Sequence, residues 1–356
     1  MHFGMPLVQC YHLLCASIFL NVAAEDAKGL EKVANYALTP VQYALVGSKA
    51  VRVEGENTYV IEQHFTYTDA YMWHKTVLSY AVLPVSVVVG GTLKALSYLS
   101  SDVRQRHHAL VESLSSTEVR PMMNYYESVG IAIQDFAAAE FIDSPSHKRR
   151  PGEENILKEE KEALKEILAI FNANKILCWM DCGSCLGAYR YGGIIPWDWD
   201  VDLAILQPDF DNAKKALQAL DKEKYSVQDW SSRDKPKAYL KVYVKATGVL
   251  IDIYHFAIDK EKGSIHSVLA NEGSVFLPES WKIRERRYTI DTPFDIVFPL
   301  KKANFDGIEV WVPRQTKKYL QQRYGENIEP VKIYNEVAGI YEKDLSHPYW
   351  QNAYAQ

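Results

Sequence analysis

The sequence predicts an α+β domain over residues 153–356, a mixed sheet flanked by helices, preceded by an N-terminal region whose fold it does not assign. Three observations predict this class. Amphipathic helical patterns alternate with short apolar runs of strand length. Two consecutive strand patterns are joined by a turn and indicate a hairpin. Three aspartates at alternate positions precede one of the strands.

Composition is that of a globular protein of 356 residues, long enough for about two domains. Apolar residues make up 47% and charged residues 24%, which argues against disorder. The net charge is −5 and the basic residues are dispersed, so a nucleic-acid partner is not expected. Many tyrosines and tryptophans fit a sugar-like ligand surface or a membrane interface.

Residues 1–24 predict a signal peptide or a membrane anchor, because Leu13–Val22 is apolar and small residues follow it. A plain N-terminal helix is a further option, since this segment lacks Lys and Arg before the apolar run. Residues 25–150 stay unassigned. Within them, residues 77–93 carry no charge but contain Pro84 and a glycine pair. A buried core segment, a membrane-embedded hairpin and a spanning helix therefore remain open.

A linker is predicted at residues 143–152, where proline, serine and a basic run occur together. The domain boundary is placed there. Beyond it, Glu153–Asn174 predicts an amphipathic helix, and Ile176–Met180 predicts a central strand. Val201–Leu206 predicts the next strand, and Pro208–Leu220 a second amphipathic helix.

The hairpin follows this second helix. Tyr239–Lys245 alternates strictly between polar and apolar residues, which places Lys241 on the polar face of the strand. Val249–Phe256 is a nearly continuous apolar strand after the turn at Thr247-Gly248. Asp252 is its single carboxylate, so it needs a partner in the folded protein.

The alternate aspartates predict a metal site. Asp200 and Asp202 point to the same side of a strand, and buried like charges are costly unless they share a cation. Oxygen ligands suit Mg²⁺ or Mn²⁺. Asp252 is expected to join this metal, with a salt bridge to Lys241 or to an arginine of residues 284–287 as the alternative. A solvated acidic turn is the simpler reading of the aspartates.

A turn before these aspartates predicts an anion site. A strand that enters Gly183-Ser184 and then a helix presents free backbone N–H groups and a hydroxyl to a phosphate. Arg190 could add a bidentate phosphate contact. An ordinary strand-to-helix turn and a surface salt bridge are the alternatives.

Three of the five cysteines, Cys178, Cys182 and Cys185, lie close together in sequence. Their spacing provides only three zinc ligands, with His255 as the nearest candidate for a fourth, so buried thiols are favoured over zinc. An odd, clustered set of thiols also favours a reducing compartment.

The order of these features resembles the nucleotidyltransferase superfamily fold: Gly-Ser, then Asp-x-Asp, then a lone Asp on a later strand. The run Gly183-Ser-Cys-Leu-Gly-Ala-Tyr-Arg190, followed by Ile194-Ile-Pro-Trp-Asp-Trp-Asp-Val-Asp202, is similar to the LicD family, whose eukaryotic branch includes fukutin and fukutin-related protein. The similarity covers roughly residues 153–330. Trp199 replaces the middle aspartate of the common bacterial string, while Asp200 and Asp202 keep the metal-binding spacing.

The resemblance implies a LicD-type phosphotransferase that moves a phospho-alcohol, such as phosphocholine or ribitol phosphate, from a CDP-linked donor to a glycan or lipid-linked glycan. It implies Mg²⁺ or Mn²⁺ on Asp200, Asp202 and Asp252, with Asp198 supporting the metal or orienting the incoming hydroxyl. Gly183, Ser184 and Arg190 would bind donor phosphates, with Lys241 and Arg287 as further candidates.

Three other functions stay open on the sequence alone. The first is a true nucleotidyltransferase that releases pyrophosphate, and the second is an inactive, membrane-associated interaction protein. The third is a glycosyltransferase that uses Asp-x-Asp, which the preceding Gly-Ser and the later Asp252 disfavour. Membrane association or export is the expected location, and the cytoplasmic face of a membrane is the alternative.

Overall fold

The computed structural model describes residues 27–41, 48–52, 59–63, 72–115, 119–133, 154–231, 235, 237–269, 278–352 and 355. The chain forms two compact units, Met1–Thr117 and Glu118–Gln356. The second unit thus begins before residue 153, where the sequence places the start of the catalytic domain. The predicted signal or anchor at 1–24 and the linker at 143–152 lie outside the described residues, and the boundary at the linker stays a prediction.

The first unit contains four helices and two strands among its described residues. They are α1 (Gly29–Ala37), α2 (Thr39–Val41), β1 (Ser48–Arg52), β2 (Tyr59–Gln63), α3 (Met72–Ser97) and α4 (Ser101–Ser115). Strands β1 and β2 pair antiparallel, with Ser48 opposite Gln63 and Arg52 opposite Tyr59. Helix α3 packs against α1 and α2.

Helix α3 runs without interruption through the apolar segment that the sequence left open. Pro84 lies inside the helix, and the glycine pair at 90 and 91 does not end it. Its part Val77–Ser97 is long and apolar enough to cross a membrane, by length and composition alone. A bend into a hairpin at the proline or the glycines is therefore not observed.

The second unit contains the larger sheet and its helices. Its elements are α5 (Met123–Ser128), α6 (Glu154–Ala173), β3 (Cys178–Met180), α7 (Cys182–Tyr191), β4 (Asp200–Leu206), α8 (Phe210–Ala216), β5 (Tyr225–Asp229), β6 (Tyr239–Val244), β7 (Leu250–Asp259), β8 (Ser264–Ser267), α9 (Glu279–Arg286), β9 (Thr292–Pro293), α10 (Phe294–Val297), β10 (Lys301–Phe305), β11 (Ile308–Val312), α11 (Thr316–Tyr324), β12 (Lys332–Asn335) and β13 (Ile340–Lys343). Short 3₁₀ turns flank α8.

The main sheet is mixed and has seven strands in the described part of the chain. Its order is β3-β4-β7-β6-β5, and β8 pairs with β7 and β9. Strand β4 runs parallel to β7, and the other pairs are antiparallel. The prediction of a mixed sheet flanked by helices is confirmed.

The prediction that Ile176–Met180 forms a central strand is wrong. Among the described strands β3 pairs only with β4 and stands at one end of the order. All three of its residues are nevertheless buried. Trp179 packs on the rings of Phe256 and Phe298, at 5.3 and 5.7 Å between ring centroids. Complete burial gives an edge strand the apolar composition of a central one.

The core of this unit lies between the sheet and its helices. Helix α6 packs against β4, β6 and β7, and Leu164, Ile167 and Phe171 on its inner face are fully buried. Strand β6 alternates half-buried and buried residues along its length. This alternation matches the predicted face pattern and leaves Lys241 on the side away from the buried valines.

Candidate metal centre

Strands β4 and β7 bring three aspartates together. The two strands are parallel, and Asp202 lies directly opposite Asp252 in the register. Each of Asp200, Asp202 and Asp252 offers a carboxylate oxygen, and these oxygens all lie within 4.8 Å of one another. Adjacent side chains on one face of a pleated sheet meet in this way because alternate residues share a face. The predicted meeting of the lone strand carboxylate with the Asp-x-Asp pair is therefore observed.

Burial and mutual repulsion raise the pKa values of this cluster. The pKa of Asp200 rises to about 7, first through burial and then through the charges of Asp198 and Asp252. The pKa of Asp202 lies well above its usual range, first through burial and then through the charges of Asp200 and Asp252. Burial also raises the pKa of Asp252, although Lys241 opposes that shift. Three partly desolvated carboxylates in one place favour either protons or a shared cation.

The Gly183-Ser184 turn supports Asp202 directly. Helix α7 begins at Cys182, and the N–H of Gly183 donates to Asp202 Oδ2 at 3.1 Å. The backbone N–H of Asp202 donates to the Ser184 hydroxyl at 2.8 Å. A Cβ atom at position 183 would lie only 2.5 Å from Asp198 Oδ2. Glycine is therefore required for the close approach of the aspartates, and the turn orients the carboxylates as well as presenting a helix N-terminus.

Asp198 adjoins the cluster. Its Oδ2 lies near Gly183, its carboxylate accepts a hydrogen bond from the N–H of Trp199 at 3.2 Å, and its charge raises the pKa of Asp200. Trp199 itself is mostly exposed. The structure thus places Asp198 beside the three clustered aspartates.

Lys241 forms the salt bridge that the sequence offered as the alternative partner of Asp252. Its ammonium lies 3.1 Å from Asp252 Oδ1, because the two residues are opposite each other in the β6–β7 register. The same ammonium stands over the rings of Tyr239 and Trp230, at 5.1 and 5.4 Å from their centroids. Asp252 therefore has both of its expected neighbours, the paired carboxylates and the lysine.

Arg190 is placed away from solvent. It is buried, and its guanidinium donates to the backbone carbonyls of Ile328 and Glu329. These contacts tie α7 to the segment after α11. The partners are backbone carbonyls rather than the surface carboxylate of the alternative, and the phosphate contact of Arg190 stays a prediction.

Arg287 follows helix α9 and lies among aromatic rings. Its guanidinium is 4.9 and 5.2 Å from the ring centroids of Tyr288 and Tyr324, and it donates to the Tyr288 hydroxyl at 2.8 Å. Its neighbour Glu285 has a raised pKa, mainly through burial, with a further contribution from the charge of Asp252. Arg287 and Glu285 thus stand on the side of the site formed by α9.

Several supporting residues were missed by sequence reasoning. Asp181, which precedes the Gly-Ser turn, is buried and donates its N–H to the carbonyl of Asp202 at 3.0 Å. Its Oδ1 accepts a hydrogen bond from the Tyr319 hydroxyl at 2.6 Å, and Arg323 Nε lies 4.0 Å away. Tyr319 and Arg323 belong to α11, so no local pattern around residue 181 could reveal them. The polar residue Asp181 after an apolar strand was the available signal.

We expect Tyr319→Phe to lower the stability of the second unit by about 1 to 3 kcal/mol, because it leaves the buried Asp181 carboxylate without its short hydrogen bond. Urea unfolding followed by circular dichroism measures this change. Equal unfolding midpoints for the variant and the native chain would show that Asp181 does not need the hydroxyl.

The clustered thiols do not form the metal centre. Cys178 and Cys185 are buried and Cys182 is partly buried. Among the described residues, the group of side chains placed to hold a metal ion consists of the three aspartates. His255 is buried, with Nδ1 3.1 Å from the carbonyl of Ala238. Buried thiols, the favoured expectation, agree with this arrangement.

Comparison with known proteins shows which family the segment around this site resembles. The family model described as the LicD/FKTN/FKRP nucleotidyltransferase domain matches residues 175–315. This span contains all three clustered aspartates. Ribitol 5-phosphate transferase FKRP from Homo sapiens is 24% identical over 173 residues, which cover 47% of this chain and 31% of that protein. The same enzyme from Mus musculus is also 24% identical over 173 residues.

An uncharacterized protein from Rickettsia prowazekii is 27% identical over 166 residues, covering 46% of this chain and 53% of that protein. The chain thus matches about a third of the length of the mammalian relatives and about half of the rickettsial one. The resemblance to the LicD family, first seen in the Gly-Ser turn and the alternate aspartates, is therefore confirmed over residues 175–315.

Proposed function

We propose that the second unit is a divalent-metal-dependent transferase of LicD type. It moves a phospho-alcohol from a CDP-linked donor to a hydroxyl of a glycan or a lipid-linked glycan. We further propose that its mixed sheet is the nucleotidyltransferase-like sheet of this family. The observation that carries the proposal is the cluster of Asp200, Asp202 and Asp252 beside the Gly183-Ser184 turn, inside the segment that matches the family model.

The donor set of the cluster suits Mg²⁺ or Mn²⁺. It consists of carboxylate oxygens, which hard divalent cations prefer, and neither sulfur nor imidazole takes part. Asp202 and Asp252 are buried and Asp200 is half-buried, and the raised pKa values of all three indicate a repulsion that a cation would relieve. A bound ion would neutralise charge on the transferring phosphate. Asp200, Asp202 and Asp252 would hold it.

The remaining residues position the reactants. Gly183 leaves room for the Asp198 carboxylate beside the helix N-terminus that would face the donor phosphates, and Ser184 fixes the backbone of Asp202. Asp198 lies close enough to the cluster to orient an incoming hydroxyl. Lys241 adds positive charge on the other side of Asp252. In-line transfer depends on such positioning more than on covalent catalysis.

Product analysis tests the proposal. The full chain is incubated with Mg²⁺, candidate glycan acceptors and either CDP-ribitol or CDP-choline, and in parallel with CTP. Release of CMP that depends on the CDP-alcohol supports phospho-alcohol transfer. Release of pyrophosphate from CTP would instead indicate a true nucleotidyltransferase. The Asp200→Asn/Asp202→Asn double variant is the control, and transfer at the native rate by this variant would contradict the metal site.

Metal binding is expected to stabilise the protein more at high pH than at low pH. The raised pKa values mean that the folded, metal-free cluster holds protons that the unfolded chain has lost, so its contribution to stability falls as pH rises from about 4 through about 7. Mg²⁺ competes with these protons. At 100 times its Kd, Mg²⁺ adds about 2.7 kcal/mol, or roughly 5 °C in Tm. We expect this shift at pH 8 and less than half of it at pH 6.

Differential scanning fluorimetry with and without MgCl₂ at both pH values measures the shift. The double asparagine variant should lose it at both. A shift that is larger at pH 6 would contradict the assignment of the ion to these carboxylates.

A further inference from the structure

The apolar helix α3 of the first unit packs on α1 and α2 through small and polar residues. The Ser86 hydroxyl donates to the carbonyl of Ala37. A Cβ atom at Gly90 would lie 2.7 Å from the Leu38 side chain, so the helices approach closely there. The buried polar and glycine positions of α3 are Ser79, Ser86, Gly90, Lys94 and Ser97.

The charged groups near this contact also point inward. Glu31 of α1 is only 2% exposed. Lys94 Nζ lies 3.7 Å from Glu31 Oε1 and 3.3 Å from Asn35 Oδ1. Arg106 of α4 donates to Glu31 Oε2 at 2.7 Å. The helices thus bury a polar network around Glu31 between them.

The outward face of α3 is apolar, and apolar residues also lie on the exposed side of α1 beside the exposed Lys32. Val85 and Val88 of α3 are 66% and 67% exposed. Other exposed apolar or aromatic residues are Val77, Leu78, Tyr80, Val82 and Val89 on α3 and Leu30, Val33 and Tyr36 on α1. A helix at a water-facing surface has the reverse arrangement, with polar residues outside and apolar residues inside. No charged residue occurs from position 77 to position 93.

The length of this face matches a lipid bilayer. Val77–Ser97 has 21 residues, which at 1.5 Å per residue span about 31 Å, close to the roughly 30 Å of a hydrocarbon core. Polar and aromatic residues flank it, with Trp73, His74 and Lys75 before it and Tyr98 and Arg104 after it. Small residues at helix contacts and internally paired charges are typical of helices in lipid.

We propose that the outward face of α3 lies in the hydrocarbon region of a bilayer, with the Lys94–Glu31–Asn35 contact enclosed between α3 and α1. The inference does not rest on the transferase activity of the second unit. A bilayer fits better than a second copy of the chain, because the apolar segment matches the membrane thickness and has polar residues at both ends.

Tryptophan quenching tests this placement. Val88→Trp is made in the full chain and mixed with phosphatidylcholine vesicles whose acyl chains carry bromine near their middle. The emission of the added tryptophan is the difference between the variant and the native chain. This emission should be blue-shifted, and its intensity should be at least twofold lower with brominated than with unbrominated vesicles. The control is Val337→Trp, since Val337 is 99% exposed in the second unit. Its extra emission should stay unquenched.

Unquenched emission from Val88→Trp would overturn the proposal. So would a blue shift that appears without vesicles and grows with protein concentration, because that result would indicate a second copy on this face. A second reporter, Val89→Trp, carries its tryptophan next to Val88. Adding Val85→Glu and Val88→Glu to this reporter should abolish the quenching. A cooperative thermal transition of the triple variant shows that it still folds. None of these readouts depends on turnover, so they can fail independently of the transfer assay.

Discussion

Asp202→Asn is expected to reduce transfer strongly while leaving the metal-free protein more stable. A metal ion contributes several kcal/mol to the stabilisation of charge in the transition state, so the loss of a ligand should reduce kcat/KM roughly 10³-fold. The metal-free cluster holds a proton on Asp202, because burial and the charges of Asp200 and Asp252 raise its pKa. Asparagine is neutral without taking up that proton, so the substitution removes a cost of folding at neutral pH. The asparagine oxygen can still accept the hydrogen bond from the Gly183 N–H.

Two measurements decide this prediction. CMP release gives the activity, and thermal unfolding in EDTA gives the stability. Asp259→Asn is the matched control, because Asp259 lies on the same strand β7 but accepts hydrogen bonds from the N–H groups of Glu261 and Lys262 outside the cluster. The control should keep native activity. A fall in both activity and stability for Asp202→Asn would mean that Asp202 acts in the fold rather than in the site.

Gly183→Ala should reduce transfer about 10²-fold with little change in stability. The new Cβ would lie 2.5 Å from Asp198 Oδ2 and 3.5 Å from Asp202 Oδ2, so the Asp198 carboxylate must move. Displacing a positioning group by about 1 Å can cost about 10²-fold in rate. The displaced atom ends a side chain, and alanine is favourable within a helix. The stability cost should therefore be small.

Gly187→Ala provides the contrasting variant. Its Cβ would lie 2.4 Å from the backbone carbonyl oxygen of Gly193 and 3.2 Å from the Ile195 N–H nitrogen. Because a backbone cannot move aside as a side chain does, this variant should lose about 1 to 3 kcal/mol of stability. Urea unfolding and CMP release measured on both variants separate the two effects. If Gly183→Ala lost as much stability as Gly187→Ala, Gly183 would have only a packing role as well.

The strands and the meeting of the three aspartates could be predicted because they follow from short-range patterns. The two-residue period of Asp200 and Asp202 fixes their common face, and the single charge at Asp252 in an apolar strand calls for a partner. The parallel pairing of β4 with β7 then places these residues side by side. The hairpin of β6 and β7 similarly follows from alternation and a turn.

The rest depends on contacts between distant parts of the chain. The partners of Arg190 lie 138 and 139 residues away, and the partner of Asp181 on α11 lies 138 residues away. No periodicity carries such information. The edge position of β3 could not be predicted for a related reason. Side chains such as Phe256 and Phe298 cover this strand, so its residues are as apolar as those of a central strand.

The hydrogen bonds of Arg190 to the backbone carbonyls of residues 328 and 329 determine how short a fragment of this chain can be and still form the site. A truncation at residue 315, where the family match ends, would remove both carbonyl acceptors of a buried guanidinium, together with Tyr319 and Arg323 behind Asp181. An uncompensated buried charge costs several kcal/mol. A fragment that is expressed to study the site therefore has to extend past residue 329.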